Sequence, residues 1–297
     1  RSFLQVKAMT IATIDIGGTG IKFASLTPDG KILDKASTPT PKTLEDLLAW
    51  LDQRLSEQDY SGIAMSVPGA VHQETGVIEG ISAIPYIHGF SWYEALSHHK
   101  LPVHLENDAN CVGLSELLAH PEIENAACVV IGTGIGGAMI INGKLHRGRH
   151  GLGGEFGYMT TIEPSEKLNN WSLLASTGNM VRYVIEKSGQ SDWDGRKVYQ
   201  EAAAGNALCQ EAIERMNRNL AQGLLNIQYL IDPDVISLGG SISQNPDFIK
   251  GVQKAVDTFV ERYEEYTIAP VIQACTYQAD ANLYGALVNW LQEENQW

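Results

Sequence analysis

The chain has 297 residues, 44% of them hydrophobic and 19% charged, a composition that builds one large domain or two smaller ones and excludes a disordered chain. The formal net charge is −14 and the pI is near 4.9, so the surface repels nucleic acid and anionic membrane. The four cysteines, Cys111, Cys128, Cys209 and Cys275, are far apart and form no CxxC pair; they read as reduced core residues, not as a disulfide or metal framework.

Along the chain, Arg1 to Ala8 lacks the apolar stretch of a signal peptide, and Met9 reads as a natural start with the residues before it as a remnant. No apolar run approaches the roughly 20 residues of a membrane helix, so the expected compartment is the cytoplasm. Thr10 to Leu33 is rich in β-branched residues and broken by Gly17-Gly18 and Asp29-Gly30, the pattern of a hairpin or meander. Thr43 to Leu55 predicts an amphipathic helix with Thr43 as N-cap and Leu44, Leu47, Leu48, Leu51 and Leu55 on one face. Gly62 to Val67 and Leu101 to Leu105 predict strands, the second leading into a helix over Ala109 to Leu118. After Pro121, Ala126 to Ile131 predicts a buried strand with Ala138 to Ile141 as hairpin partner, turned at Asn142-Gly143. Helices are predicted over Leu173 to Ser188, Val198 to Ala204, Asn206 to Ile231 and Ala281 to Glu293, and a strand over Val235 to Leu238. Ile14 to Gly20 and Ile131 to Gly137 repeat one device, strands joined through glycines, which predicts two related α/β lobes with a cleft between them.

Those glycines carry the first chemical signal. In Asp15 to Lys22, which holds Gly17, Gly18, Thr19 and Gly20, glycines bring backbone N–H groups against an anion, or simply make a tight hairpin. Asp15 offers hard oxygen to Mg²⁺, directly or through water. The second stretch, Gly132, Thr133, Gly134, Gly136 and Gly137, is alike, with the Thr133 hydroxyl as a phosphate donor. Two such loops suit a polyphosphate; neither is a Walker A loop, and neither opens a βαβ dinucleotide unit. Glu106-Asn107-Asp108 ends a strand, where Asp108 reads either as a general base for a sugar hydroxyl or as part of a helix N-cap. Asn107 has a donor and an acceptor for sugar hydroxyls. His150 and Glu155 sit in a glycine-rich loop that either lets a sugar lie close or is merely flexible. Gly239-Gly240-Ser241 either flanks an adenine ring or is an ordinary turn after a strand.

In this order, from about Thr10 to Leu291, these pieces resemble the ROK family of sugar kinases. The resemblance implies an α/β actin-like ATPase (ribonuclease H-like) fold, with a small lobe over 9–118 closed by a C-terminal helix at 281–297 and a large lobe over 119–280. It implies ATP and Mg²⁺, phosphate loops at Asp15–Lys22 and Gly132–Gly137, an adenosine motif at Gly239-Gly240-Ser241, Asp108 as base, backbone help near Gly69, and a homodimer. The departures are informative. Tyr158 stands where the family usually has a zinc-binding His, and Thr160 to Ala175 holds no cysteine where a CxCGxxGCxE zinc loop is usual, so no zinc site is expected. Ser172 aligns with that loop's sugar-binding glutamate, and a smaller side chain leaves room for a group at C1. This zinc-less pattern resembles the β-glucoside kinases, which implies a disaccharide such as cellobiose as acceptor, with N-acetylmannosamine kinase and glucokinase as rivals. About nine residues precede the first strand, which leaves no helix-turn-helix of the family's repressors, and DNA is not an expected partner.

Overall fold

The computed structural model describes residues 9–162 and 168–297, so Arg1–Ala8, read above as a remnant, lies outside the described residues. The chain divides into two compact units. One holds the chain up to Pro121 with Arg149–Gly151 and Asp280–Trp297; the other holds Glu122–Gly148 and Leu152–Ala279. Arg149–Gly151, expected in the larger lobe, thus groups with the first unit.

The first unit opens on the expected meander, β1 (Ile11–Ile16), β2 (Gly20–Leu26) and β3 (Ile32–Pro39), followed by α1 (Leu44–Leu55). Thr43 caps α1, its hydroxyl accepting the Asp46 N–H at 3.1 Å, and Leu47, Leu51 and Leu55 are buried as their spacing predicts. Next come β4 (Gly62–Val67), the short pair β5 (Ala70–His72) and β6 (Val77–Glu79), and the one-turn α2 (Trp92–Ala95). β7 (Val103–Asn107) leads into α3 (Asp108–Ala119). β7 starts two residues later than expected, after Pro102, which has no N–H for a ladder. The sheet order is β3-β2-β1-β4-β7, with β4 parallel to both β1 and β7. Side chains alternate across β1: Ala12, Ile14 and Ile16 join one core with α1, while Ile11 faces a second core built with Leu283, Leu287 and Trp290. Those three belong to α9 (Ala281–Glu293), the last helix of the chain.

The second unit begins with β8 (Ala126–Ile131), β9 (Ile135–Ile141) and β10 (Lys144–Leu145). Gly132–Gly134 turns β8 into β9, and the Asn142-Gly143 pair turns β9 into β10 instead of closing the first hairpin. Both residues of that pair have positive φ, 52° and 70°, as a type I′ hairpin turn requires. Then follow β11 (Thr160–Ile162), β12 (Leu168–Asn170), α4 (Trp171–Ala175), α5 (Thr177–Ser188), α6 (Gly195–Ala203) and α7 (Ala207–Ile231). The helix expected over Leu173 to Ser188 is broken at Ser176, whose hydroxyl accepts the Asn179 N–H at 3.1 Å and caps α5. β13 (Val235–Gly239), α8 (Pro246–Arg262) and β14 (Ile272–Ala274) complete the unit. Sheet order is β10-β9-β8-β13-β14, with β13 parallel to β8 and β14. In each unit, therefore, an antiparallel meander continues into two parallel strands in the same order, and the internal repeat in the sequence is a repeat of topology. No described helix is long and apolar enough to cross a membrane.

Candidate active site

In the first unit, β1 and β2 pair Asp15 with Lys22 across the strands, and Lys22 Nζ lies 3.4 Å from Asp15 Oδ2. The turn between them is tied down. Gly17 N–H donates to Gly20 O at 3.0 Å, Thr40 Oγ1 donates to Gly17 O at 2.6 Å, and Gly18 and Thr19 are left exposed at the tip. A Cβ on Gly17 would stand 2.8 Å from Gly20 O, so that position needs glycine. Asn282 of α9 donates to Asp15 Oδ1 at 3.1 Å and to Ser66 Oγ at 3.0 Å. Burial raises the Asp15 carboxyl above its ordinary range, while the Lys22 charge and the bonds from Lys22, Asn282 and Ser66 pull it back.

At the end of β7 the two readings of Asn107-Asp108 divide between neighbours. Asn107 is the N-cap: its Oδ1 accepts Ala109 N–H at 3.0 Å and Asn110 N–H at 3.2 Å, and its Nδ2 donates to Gly69 O at 3.0 Å. The acceptor offered to a sugar hydroxyl is thus saturated by the start of α3. Glu106, also buried, braces the corner by accepting Asn107 N–H and Asn110 Nδ2 at 2.8 and 2.9 Å. Asp108, the first residue of α3, is not the cap. Burial raises its carboxyl; Ala109 N–H opposes this, the Asp15 charge raises it further, and the Asn107 side chain opposes again. Gly69 has φ 105°, and a Cβ there would press on Glu79 O at 2.7 Å and on His88 Cε1 at 3.2 Å. His88, not singled out from sequence, holds Ser82 Oγ with Nε2 at 2.7 Å, while its buried Nδ1 has no partner. His150 is exposed.

In the second unit, Gly132 and Thr133 are exposed at the β8–β9 turn. The turn is braced from two helices. Gly178 N–H of α5 donates to Gly132 O at 3.1 Å, and Ser172 Oγ of α4 accepts Ile135 N–H at 2.7 Å. A Cβ on Gly134 would stand 2.7 Å from that Ser172 oxygen. Gly136 and Gly137 lie inside β9, beyond the turn; Gly137 is glycine because a Cβ would meet Cys128 O and Gly154 O at 2.7 Å. Glu155 is half-buried where the chain enters the 3-10 turn Phe156–Tyr158, and a Cβ on Gly153 or Gly157 would collide with the His146 or the Ile135 carbonyl. The glycines of that loop serve close backbone packing. Gly240, at φ 88°, runs against the Ile131 carbonyl, so Gly239-Gly240-Ser241 lies beside the glycine turn that follows Ile131.

Ser241 also lines a cavity of ≈ 570 Å³ with Thr177, Asp194, Arg196, Tyr199 and Asn245. Thr177, Gly195 and Pro246 begin α5, α6 and α8, so three helix N-termini meet there, and Thr177 Oγ1 and Tyr199 Oη are buried without partners. Unsatisfied hydroxyls beside helix N-termini suit a polar, anionic ligand such as a nucleotide. Of this lining only Ser241 stands out in the sequence as a candidate ligand-binding residue. Asp194 and Asn245-Pro246 are helix-start signals that were readable; their convergence was not.

Two sheets of one topology, each with a glycine turn after its first strand, make the architecture of the actin-like ATPase class. The ROK family profile matches residues 11–293, and the chain belongs to the ROK family. It is 35% identical to a β-glucoside kinase of Listeria monocytogenes over 97% of this chain and 99% of that protein. The crystal structure of a ROK family protein from Streptococcus pneumoniae in complex with sucrose is 89% identical, with a TM-score of 0.95 over 97% of this chain and 100% of that one. A ROK family glucokinase from Streptomyces griseus, solved with glucose and AMPPNP, shares 23% identity and a TM-score of 0.74 over 94% of this chain and 98% of that one. The protein is a sugar kinase with the actin-like ATPase fold.

Proposed function

We propose that this sugar kinase transfers the γ-phosphate of ATP to the 6-hydroxyl of the non-reducing glucose in a β-glucoside such as cellobiose. The observation that carries this reading is the full-length likeness to the Listeria β-glucoside kinase, in a sequence without the family's cysteine loop. The sucrose held by the Streptococcus pneumoniae relative supports an acceptor of disaccharide size. Sucrose is an α-glucoside, which keeps a different linkage as the second reading.

In the mechanism Asp108 accepts the proton of the attacking hydroxyl. Its raised carboxyl makes it a stronger base than an exposed aspartate. Phosphoryl transfer otherwise asks for positioning and charge neutralisation. Backbone N–H groups of the two glycine turns take the polyphosphate, with Thr133 as a side-chain donor and Lys22 supplying positive charge. Gly239-Gly240-Ser241 and the adjoining cavity take the adenosine. Mg²⁺ supplies further neutralisation of the phosphates when bound. Both Asp15 oxygens already have partners, which suits holding the ion through water. Gly69, Asn107 through its Nδ2, His150 and Glu155 are assigned to the sugar, while Ser172, expected there from the sequence, has its oxygen on Ile135 N–H and is assigned to holding the second glycine turn. A homodimer in the cytoplasm, where ATP is abundant and thiols stay reduced, completes the reading.

The test is a coupled ADP-release assay over cellobiose, gentiobiose, sucrose, glucose and N-acetylmannosamine. Highest kcat/KM on the β-linked disaccharides is expected. A strong preference for glucose or N-acetylmannosamine would sink the β-glucoside reading, and sugar binding without any ADP release would make the protein a sensor.

A further inference from the structure

Asp52, His98 and His99, apart from every residue assigned above, bring three ligand atoms to one point of the first unit. Asp52 lies on the solvent side of α1, and the histidines are consecutive in the 3-10 turn Ser97–His99 ahead of β7. Nε2 of His98 and Nε2 of His99 lie 3.0 and 2.7 Å from the same oxygen, Asp52 Oδ1. The ligand atoms of all three residues are within 4.8 Å of one another. The two imidazole rings stand 4.1 Å apart at 40°. Four ligands at Zn–N distances of about 2.0–2.1 Å are separated by edges of about 3.4 Å, so a spreading of roughly half an ångström admits an ion at the centre.

The backbone beneath these ligands is anchored. Leu51, next to Asp52, and Leu96, two residues before His98, are fully buried in one core. Lys100 closes the turn in the left-handed region at φ 56°, its N–H on Ser97 O at 3.0 Å. Ligands on anchored elements are held ready for a cation. The side of the cluster that an ion would enter is open, since the His98 and Asp52 side chains are 55% and 45% exposed.

Two imidazole nitrogens with one carboxylate oxygen suit a borderline divalent transition metal such as Zn²⁺, Co²⁺ or Ni²⁺; Mg²⁺ and Ca²⁺ take oxygen. We propose that Asp52, His98 and His99 bind one such ion, with water completing its coordination, as a staple between α1 and the segment that leads into β7. It involves neither the cysteine loop that this sequence lacks nor the residues assigned to ATP and sugar.

The experiment is titration of metal-free protein with Zn²⁺ by calorimetry and with Co²⁺ by visible absorption, on the wild type and on His98→Gln, His99→Gln and Asp52→Asn. Loss of an outer-shell partner alone weakens metal binding by about 10–100-fold, so loss of a direct ligand is expected to weaken the site at least about 100-fold. Wild-type melting temperature should rise with Zn²⁺, and kinase activity measured without Zn²⁺ should be the same in all four proteins. Circular dichroism checks folding; His98, the most exposed ligand, decides if Asp52→Asn disturbs α1. No bound ion in the wild type, or variants that bind as the wild type does, would overturn the proposal.

Discussion

Burial raises the Asp108 carboxyl above its ordinary value of 3.8, and the Asp15 charge adds to the shift. The folded chain therefore binds a proton at Asp108 more readily than the unfolded chain does. The associated stability is complete below about pH 3.8 and is lost as pH rises through the raised value, so at neutral pH the ionised carboxylate strains the native state. Asp108→Asn should lower kcat by about 10²–10⁴-fold while sugar binding persists. The same substitution should raise stability at pH 7, read as a higher urea midpoint. A variant with near-normal kcat, or with a lower midpoint, would refute this account. In the wild type kcat/KM should fall on the acid side at a pH above that of an exposed aspartate, checked by a pH–rate profile. At this scale the sequence was legible where a residue acts through its neighbours in the chain, as Asn107 does in capping α3. It was silent on Ser66 and Asn282, which reach Asp15 only through the fold.

The second glycine turn owes its position to helices that follow it by many residues. Ser172 of α4 takes the Ile135 N–H, and Gly178 of α5 packs so closely that a Cβ would stand 2.5 Å from Thr133 O. Ser172→Ala removes an acceptor worth about 1 kcal/mol, which predicts an increase of about 5-fold in KM for ATP with KM for sugar unchanged. Steady-state kinetics with each substrate varied in turn decides it; a rise in sugar KM alone would assign Ser172 to the acceptor. Strong local periodicity made α1 and α7 readable; the structure keeps the expected cap at Thr43, and Asn206, expected as the first helical residue, caps α7 instead. α8 was missed although Asn245-Pro246 is a helix start, with Asn at the cap and Pro at the first position. Helix-start residues advertise a helix; they do not advertise that three of them meet around one cavity.

Across the whole molecule, the repeat seen faintly in two glycine stretches is a repeat of complete sheets, because a meander leading into two parallel strands requires the same turn in the same place. The units are not continuous pieces of chain. α9 completes the core of the first unit, where a Cβ on Gly62 would collide with the Trp290 ring and Trp290 Nε1 donates to Pro102 O at 3.2 Å. Gly285 lies so close to the Cys111 carbonyl that no side chain fits. Trp290→Ala should therefore cost about 3–5 kcal/mol, and the loss should fall on the transition that reports the first unit in urea unfolding. An unchanged midpoint there would refute the role given to α9.

That arrangement sets a timetable for synthesis. A ribosome makes the strands of the first sheet early, but the helix that seals one of its faces is translated only after the entire second unit. Until then the surface reserved for Leu283, Leu287 and Trp290 stays open to chaperones and to other nascent chains. The second unit can finish first although it starts later, so the half that carries Asp108 is the last to mature. Message truncated anywhere before α9 yields a product that cannot close its first core, and such a fragment is a substrate for proteolysis before it is an enzyme.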